Sequence, residues 1–413
     1  MNFKKRQNNL RGVAQALFTL CIGFISLTPF GCRQEHPVAQ KYDVEFAVQM
    51  PEGLEAALDG FAIRLSGNNL TQELTAVSNS AGKVSFSLES GEYAVSASKT
   101  SEAFAFNAAL SVTVSEKASF TLKLHATSLT GGLVFKEIYY SGSKTETGGK
   151  YYSDQFVEIY NNSDEVIYLD GLGIMAVSPA ASLSPSKWID GEGNLLPRYP
   201  SDGYVCYIPG SGKEHPLQPR TGIVIAQDGI NHKTDKEGNP QSPVNLGNAD
   251  WEFFVGDING GKDADAAAVP NVAVMYATQT TRLDMLVSVF GPAMILFRLP
   301  EGVNPVEFAA NPDNISTAPG ESNGKTKYLL IPKEYVIDAV EAVRPDKPNK
   351  RLHPEHDAGH ISCESSYNSK SIRRKVDKIV DGKVFYLDTN NSGNDFLGDR
   401  TPTPGVHPTQ IDR

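Results

Sequence analysis

The sequence predicts an all-β chain made of two successive sandwiches, on three observations. Short runs of β-branched and aromatic residues alternate with polar ones at a period of two, the signature of strands with one covered face. Clusters of Gly, Asn, Asp and Ser separate these runs, in a chain with 36 glycines and 25 prolines. Long 3.6-residue periodicity is scarce. At 413 residues, 40% hydrophobic and 21% charged, the chain can bury two or three cores.

The first element is an address. Lys4, Lys5, Arg6 and Arg11 precede a short apolar run at 14–27 bounded by Pro29, which reads as a secretory signal over residues 1–31 rather than a spanning helix. Phe30-Gly31-Cys32 resembles the end of a bacterial lipobox, with Pro29 where Leu is usual. That resemblance implies lipidation of Cys32 and a lipid anchor in the outer membrane, on its periplasmic or surface face. Loss of the four basic residues would shift the formal charge from −10 to about −14, and an acidic body repels nucleic-acid phosphates. No other apolar run is long enough to span a bilayer. Residues 32–42 are polar and read as a tether. Of four cysteines, Cys21 leaves with the signal and Cys32 takes the lipid. Cys206 and Cys363 remain, either as a disulfide that export permits or as two buried thiols.

Residues 43–126 carry the first sandwich. Val44, Phe46 and Val48 alternate, as do Phe61, Ile63 and Leu65, then Val84, Phe86 and Leu88, then Tyr93, Val95 and Ala97, and finally Phe120, Leu122 and Leu124. Five or more such strands within this length fit an immunoglobulin-like or transthyretin-like layout. The run from Ser80 to Ala97, with turns at Gly82 and Gly91, resembles carboxypeptidase-regulatory-like and collagen-adhesin B-type repeats, in which such a domain is a spacer.

After a small-residue junction the second sandwich spans 131–413. Its centre is the stretch 155–172, where Phe156–Tyr160 and Val166–Leu169 read as two strands around Asn161-Asn-Ser-Asp164, a hairpin preceded by a third strand at 133–140. Glu137-Ile-Tyr-Tyr, Phe156-Val-Glu-Ile-Tyr-Asn and Leu169-Asp-Gly-Leu-Gly resemble the start of bacterial lamin-tail-like domains. Ser371-Ile-Arg-Arg, Asp388-Thr-Asn-Asn-Ser, Asp395-Phe and Thr401-Pro-Thr-Pro-Gly resemble their close, and Tyr335-Val-Ile-Asp-Ala-Val-Glu an inner strand with an inward Asp338. Residues 176–325 exceed what that fold needs and must hold long insertions or extra strands. Pieces at 219–232, 245–252 and 294–300 resemble uncharacterised lipoproteins of the Bacteroidota, known as a domain of unknown function. The resemblance implies an envelope lipoprotein and transfers no catalytic residue. Such lipoproteins accompany TonB-dependent outer-membrane transporters, so a transporter, or a glycan, is the partner it suggests.

Candidate sites follow from residue type and spacing. His353, His356 and His360, with Glu355 and Asp357, suit a transition metal, although Pro354 and Gly359 make an exposed polar loop the plainer reading. Asp388, Asn390, Ser392 and Asp399, with Gly393, match the spacing of a calcium loop, but the preceding strand and Pro402 and Pro404 deny it flanking helices. Asp257, Asn259, Asp263 and Asp265 form a second acidic Gly loop that could hold a hard cation or a solvated turn. Tyr139, Tyr140, Tyr151 and Tyr152 flank a Gly, Ser and Thr-rich loop at 141–150 and could contact sugar or protein, or else pack into the sandwich. No phosphate loop, nucleophile elbow or His-Glu-x-x-His pair is present. Glu137 and Glu158 could pair as acid and base, yet their alternation places them on the solvated face of a sheet. The sequence therefore favours a non-catalytic binding or accessory lipoprotein, with a metal-assisted hydrolase at 353–360 or an adhesion scaffold as the alternatives.

Overall fold

The computed structural model describes residues 40–412, apart from 102, 129, 130, 322 and 323. The signal, Cys32 and most of the tether lie outside the described residues. Nearly all regular structure is strand, as the patterning predicts.

In the N-terminal sandwich, Lys41–Gln49 lies between Lys83–Glu89, antiparallel, and Ala118–Lys123, parallel. The facing sheet runs Leu74–Val77, Ala62–Gly67, Gly91–Thr100, Phe104–Val114, His125–Ser128. Because alternate side chains point inward, Val44, Phe46 and Val48 meet Phe61, Ile63, Leu65, Tyr93 and Val95 in one core. Gly82 (φ 73°) takes the left-handed turn that brings the chain back, and Asn79 Oδ1 accepts the Ala81 and Lys83 amides to fix it.

The C-terminal sandwich is larger. Its six-stranded sheet runs Trp251–Glu252, Gly222–Ala226, Phe156–Asn161, Leu133–Tyr139, Ser371–Arg374, Phe396–Arg400. The other sheet runs Ile315–Ser316, Tyr328–Pro332, Arg198–Tyr207, Leu172–Val177, Ala293–Arg298, Val336–Glu341, with Ala273–Ala277 also paired to Arg198–Tyr207. Phe135, Val157, Ile159 and Ile225 of one meet Ile174, Cys206, Leu296 and Val340 of the other in a shared core. Both outer faces are covered as well. Val376, Val384 and Tyr386 pack on Val134 and Tyr160 of the first sheet, and Val244 and Leu246 on Tyr139 and Phe156. Leu352 and the helix residue Ala309 join the outer face of the second.

Two expectations change. The stretch 155–172 is no hairpin: Phe156–Asn161 pairs with Leu133–Tyr139 and Gly222–Ala226, whereas Ile167–Tyr168 pairs with Pro216–Leu217. The side chain of Asn161 explains the departure. It donates to the carbonyls of Glu165 and Leu217 and accepts from Ser163, so the turn carries the chain out of the first sheet and on to Leu172–Val177 in the second. The stretch 176–325 supplies strands to both sheets, which settles the choice between insertions and extra strands for much of its length.

A buried charge joins the two sheets. Asp338, on the second, accepts the Phe135 amide of the first at 2.6 Å and Arg374 Nη2 at 2.8 Å. Arg374 also donates to the Phe135 and Leu387 carbonyls and to Asp388, and its plane lies 4.7 Å from the Phe396 ring. Asp395 lies 3.6 Å from it and accepts the Thr389 and Asn391 amides. One guanidinium therefore holds both sheets and the C-terminal loop. Arg374→Ala would leave two buried carboxylates without their cation and should cost roughly 3–5 kcal/mol in urea unfolding. Asp346→Asn, at the exposed Arg344–Asp346 pair, should leave the midpoint unchanged.

Candidate functional site

The sequence candidates disperse. Tyr139 and Tyr140 are core residues rather than contact residues, because the outer face of their strand is covered. Tyr139 reaches Asp154 and Tyr140 accepts the Cys363 amide. Tyr151 and Tyr152 are half-buried, and Tyr151 Oη lies 2.7 Å from His232 Nδ1. Cys206 and Cys363 are both free and buried, so no disulfide forms, and burial pushes the Cys363 thiol up to about 12.

Both metal candidates belong to the joint with the small sandwich. His353 Nε2 meets the Leu196 carbonyl, and Tyr199 Oη, which accepts the His353 amide, lies 2.8 Å from His356 Nδ1. His360 is exposed. Burial, reinforced by His353 and Lys333, holds His356 at about 4, a neutral ring. Asp388 faces Arg374, Asn390 donates to the Glu355 carbonyl, Ser392 bonds Asp357, and Asp399 accepts from Glu364 and Asn368. These side chains of 388–399 thus have separate protein partners. Asn107 of the small sandwich donates to the Thr389 carbonyl, and His125 lies 3.8 Å from Glu355.

Glu137 and Glu158 are neighbours across paired strands, as expected, but they are fully buried and not solvated. The register shift between Glu158 and Ile159 makes Lys136 a bulge residue and turns it to the same face as both acids. Lys136 Nζ is 2.7 Å from Glu158 and from the Val406 carbonyl. The C-terminal segment then closes over them: Thr403 donates to Glu137, and the Gly405 amide to Glu158. This is a sealed ion cluster, closed to substrate.

The exposed polar architecture lies at one end of the large sandwich. Lys144, Thr145, Glu146, Gln241, Tyr367, Asn368 and Ser369 line a groove of about 410 Å³. Its three loops are cross-linked by hydrogen bonds. The Tyr367 and Ser369 amides donate to the Ser141 and Gly142 carbonyls, and Asn239 Nδ2 to Ser143 Oγ and the Lys144 carbonyl. Tyr367 (φ 57°) and Ser369 (φ 60°) are both left-handed, a strained state for side chains other than Gly. Lys150 Nζ sits 5.4 Å above the Tyr367 ring.

Asp154 underlies this groove. It accepts Ser143 Oγ and Ser242 Oγ, both at 2.7 Å, and burial lifts it to about 6. Near it, carboxylate oxygens of Asp228, Asp263 and Asp284 lie within 4.8 Å of one another. Asp263 comes from the acidic Gly loop noted in the sequence, but its partners are Asp228 and Asp284, not Asp257 and Asp265. Each missed residue had a local cue. Asp228 follows a buried strand and precedes Gly229, and Asp284 interrupts the apolar run 283–287. A second converging set, Asp170, Glu214 and His215, is a turn lock. Burial opposes ionisation of Asp170, but the Glu214, His215 and Gly212 amides outweigh it and hold the carboxylate below its ordinary range.

Residues 218–403 match a family described as Protein of unknown function (DUF4876). The chain is similar to the crystal structure of a DUF4876 family protein from Bacteroides thetaiotaomicron VPI-5482, with 27% identity and a TM-score of 0.59. That likeness covers 90% of this chain and 99% of the other, and so includes both sandwiches. A DUF3823 family protein from Parabacteroides merdae ATCC 43184 is 15% identical over 44% of this chain and 80% of its own, but its TM-score of 0.18 carries no argument. No protein with a curated description matches the chain.

The sealed cluster predicts a pH dependence. Burial, only partly offset by Lys136, raises Glu158 from 4.5 to about 7. A raised carboxylate stabilises the fold fully below its unfolded value, and the contribution is lost as pH rises through the folded one. Glu158→Gln should therefore gain on the wild type between about pH 5 and about pH 8, read as a growing difference in urea midpoints. A constant difference would contradict this assignment.

Proposed function

We propose that the protein is a non-catalytic binding module of the cell envelope. A lipid on Cys32 anchors the chain, the small sandwich acts as a spacer, and the loop end of the large sandwich presents the groove to a partner. The observation that carries this reading is the groove itself. Three loops remote in sequence are tied together by buried hydrogen bonds, and two residues, Tyr367 and Ser369, are held in strained conformations at its wall. Such preorganisation lowers the entropic cost of binding. The lining of amide, hydroxyl, phenol and paired charges suits a polar partner surface, of which an exposed loop of an outer-membrane transporter is the favoured example.

Catalysis has less support. The buried acids at Glu137 and Glu158 are sealed under the C-terminal segment, and His353 and His356 are committed to Leu196 and Tyr199. Among the described residues no helix is long and apolar enough to cross a membrane, so attachment would rest on the lipid.

Crosslinking in native membranes followed by affinity purification should recover a reproducible protein partner. Tyr367→Ala should weaken its capture about tenfold or more, as for a central aromatic contact. Cys32→Ala should release the protein from the membrane fraction. Equal recovery by the Tyr367 variant, or glycan binding without any protein partner, would contradict the transporter reading.

A further inference from the structure

The acidic cluster near Asp154 takes part in no ion pair or turn of the fold described above. Asp228, Asp263 and Asp284 come from three segments: the turn after Gly222–Ala226, the loop after the short helix Gly256–Asn259, and the approach to Ala293–Arg298. None of the three takes part in an ion pair among the described residues. Arg282, next but one to Asp284, turns away to Asp202 at 2.8 Å. Glu252, fully buried on the neighbouring strand, adds to the negative potential felt by this group. Several carboxylates with no cation do not stay ionised in a protein interior. Burial first raises all three, Asp228 and Asp263 to about 6 and Asp284 well above the usual range, and the charge of Asp263 adds to the rise of both Asp228 and Asp284.

A separate observation shows what the cluster lacks. Gln227 is 2% exposed, and its Nε2 donates to Asp284 Oδ2 at 2.7 Å, which fixes the amide at the rim of the cluster. Its Oε1 has no hydrogen-bond partner. With Asp284 ionised, as a bound cation would hold it, Nε2 is the atom that faces its carboxylate and Oε1 is left without a partner. A buried acceptor on a side chain bonded to Asp284 needs a donor or a cation.

We propose that Asp228, Asp263, Asp284 and Gln227 Oε1 bind one calcium-class divalent cation. All the donors are oxygen, with neither His nor Cys, which favours a hard cation over zinc or copper. The remaining carboxylate oxygens are already oriented: Asp263 Oδ2 by the Val255 amide, and Asp284 Oδ1 by the Met285 amide. The cation would pin the three segments to one another near Asp154, whose bonds to Ser143 and Ser242 hold the groove loops. It does not depend on what the groove binds.

The test uses the full mature chain, stripped with EDTA and titrated with CaCl2, MgCl2 or ZnCl2 by calorimetry and thermal unfolding. The expected result is one calcium per chain and a raised Tm, with magnesium weaker. Asp284→Asn should weaken calcium binding about 100-fold or more while leaving the stripped protein folded, since an uncharged amide of the same shape replaces the acid. Gln227→Ala, a milder change, should weaken binding about tenfold. Asp170→Asn, in the other converging set, should leave the calcium response intact. Absence of heat and Tm shift in the wild type up to about 10 mM CaCl2 overturns the proposal. So does a response to zinc alone, or an unchanged response in Gln227→Ala together with Asp284→Asn.

Discussion

The large sandwich depends on one guanidinium placed where no water reaches. Arg374 lies between a strand of each sheet and the C-terminal loop, and satisfies Asp338, Asp388 and two carbonyls at once. Because a buried ion pair repays its desolvation only when its geometry is complete, Asp338, Phe135 and the loop must hold their places together. That requirement closes the chain. Residues after Arg374 return across the outer face, supply Asp388 and Asp395, and end over Lys136, Glu137 and Glu158. A second buried pair, Arg351 with Glu341, plays the same part on the other sheet and donates further to the Ala342 and Gly291 carbonyls.

Covering both faces of both sheets is also why polar residues ended up inside. Alternation tells which residues share a face but not whether that face meets water. For Val44, Phe46 and Val48 the two questions have one answer, and the small sandwich was legible from its period alone. For Glu137 and Glu158 they do not. The shared face was readable, but its cover comes from Thr403 and Gly405, more than 240 residues away, so the acids read as solvated. Asp338 was readable as an inward acid through the resemblance of its strand to a lamin-tail-like inner strand, whereas its partner Arg374 was one basic residue among many.

The site shows the same limit more sharply. The calcium-like spacing at 388–399 is real, but spacing records local order, and in the fold each side chain turns to a different protein group. The acidic cluster is the converse case. Asp228, Asp263 and Asp284 have no motif between them, since topology alone brings three separate loops together. The likeness to the Bacteroides structure over 90% of the chain supports an architecture held in common, in which both sandwiches belong to one design. The histidines at 353–360 and the loop at 388–392 sit where those sandwiches meet, through Asn107 and His125.

The loop end of the large sandwich is a built surface, tied to the buried Asp154 through Ser143 and Ser242. Hydrogen exchange followed by mass spectrometry tests it directly, at calcium saturation. The amides of Gln227, Asn239, Ser242, Val255, Tyr367 and Ser369 should exchange as slowly as the flanking strands, because each is donated to a buried acceptor. Exchange at the rate of free surface loops would contradict it.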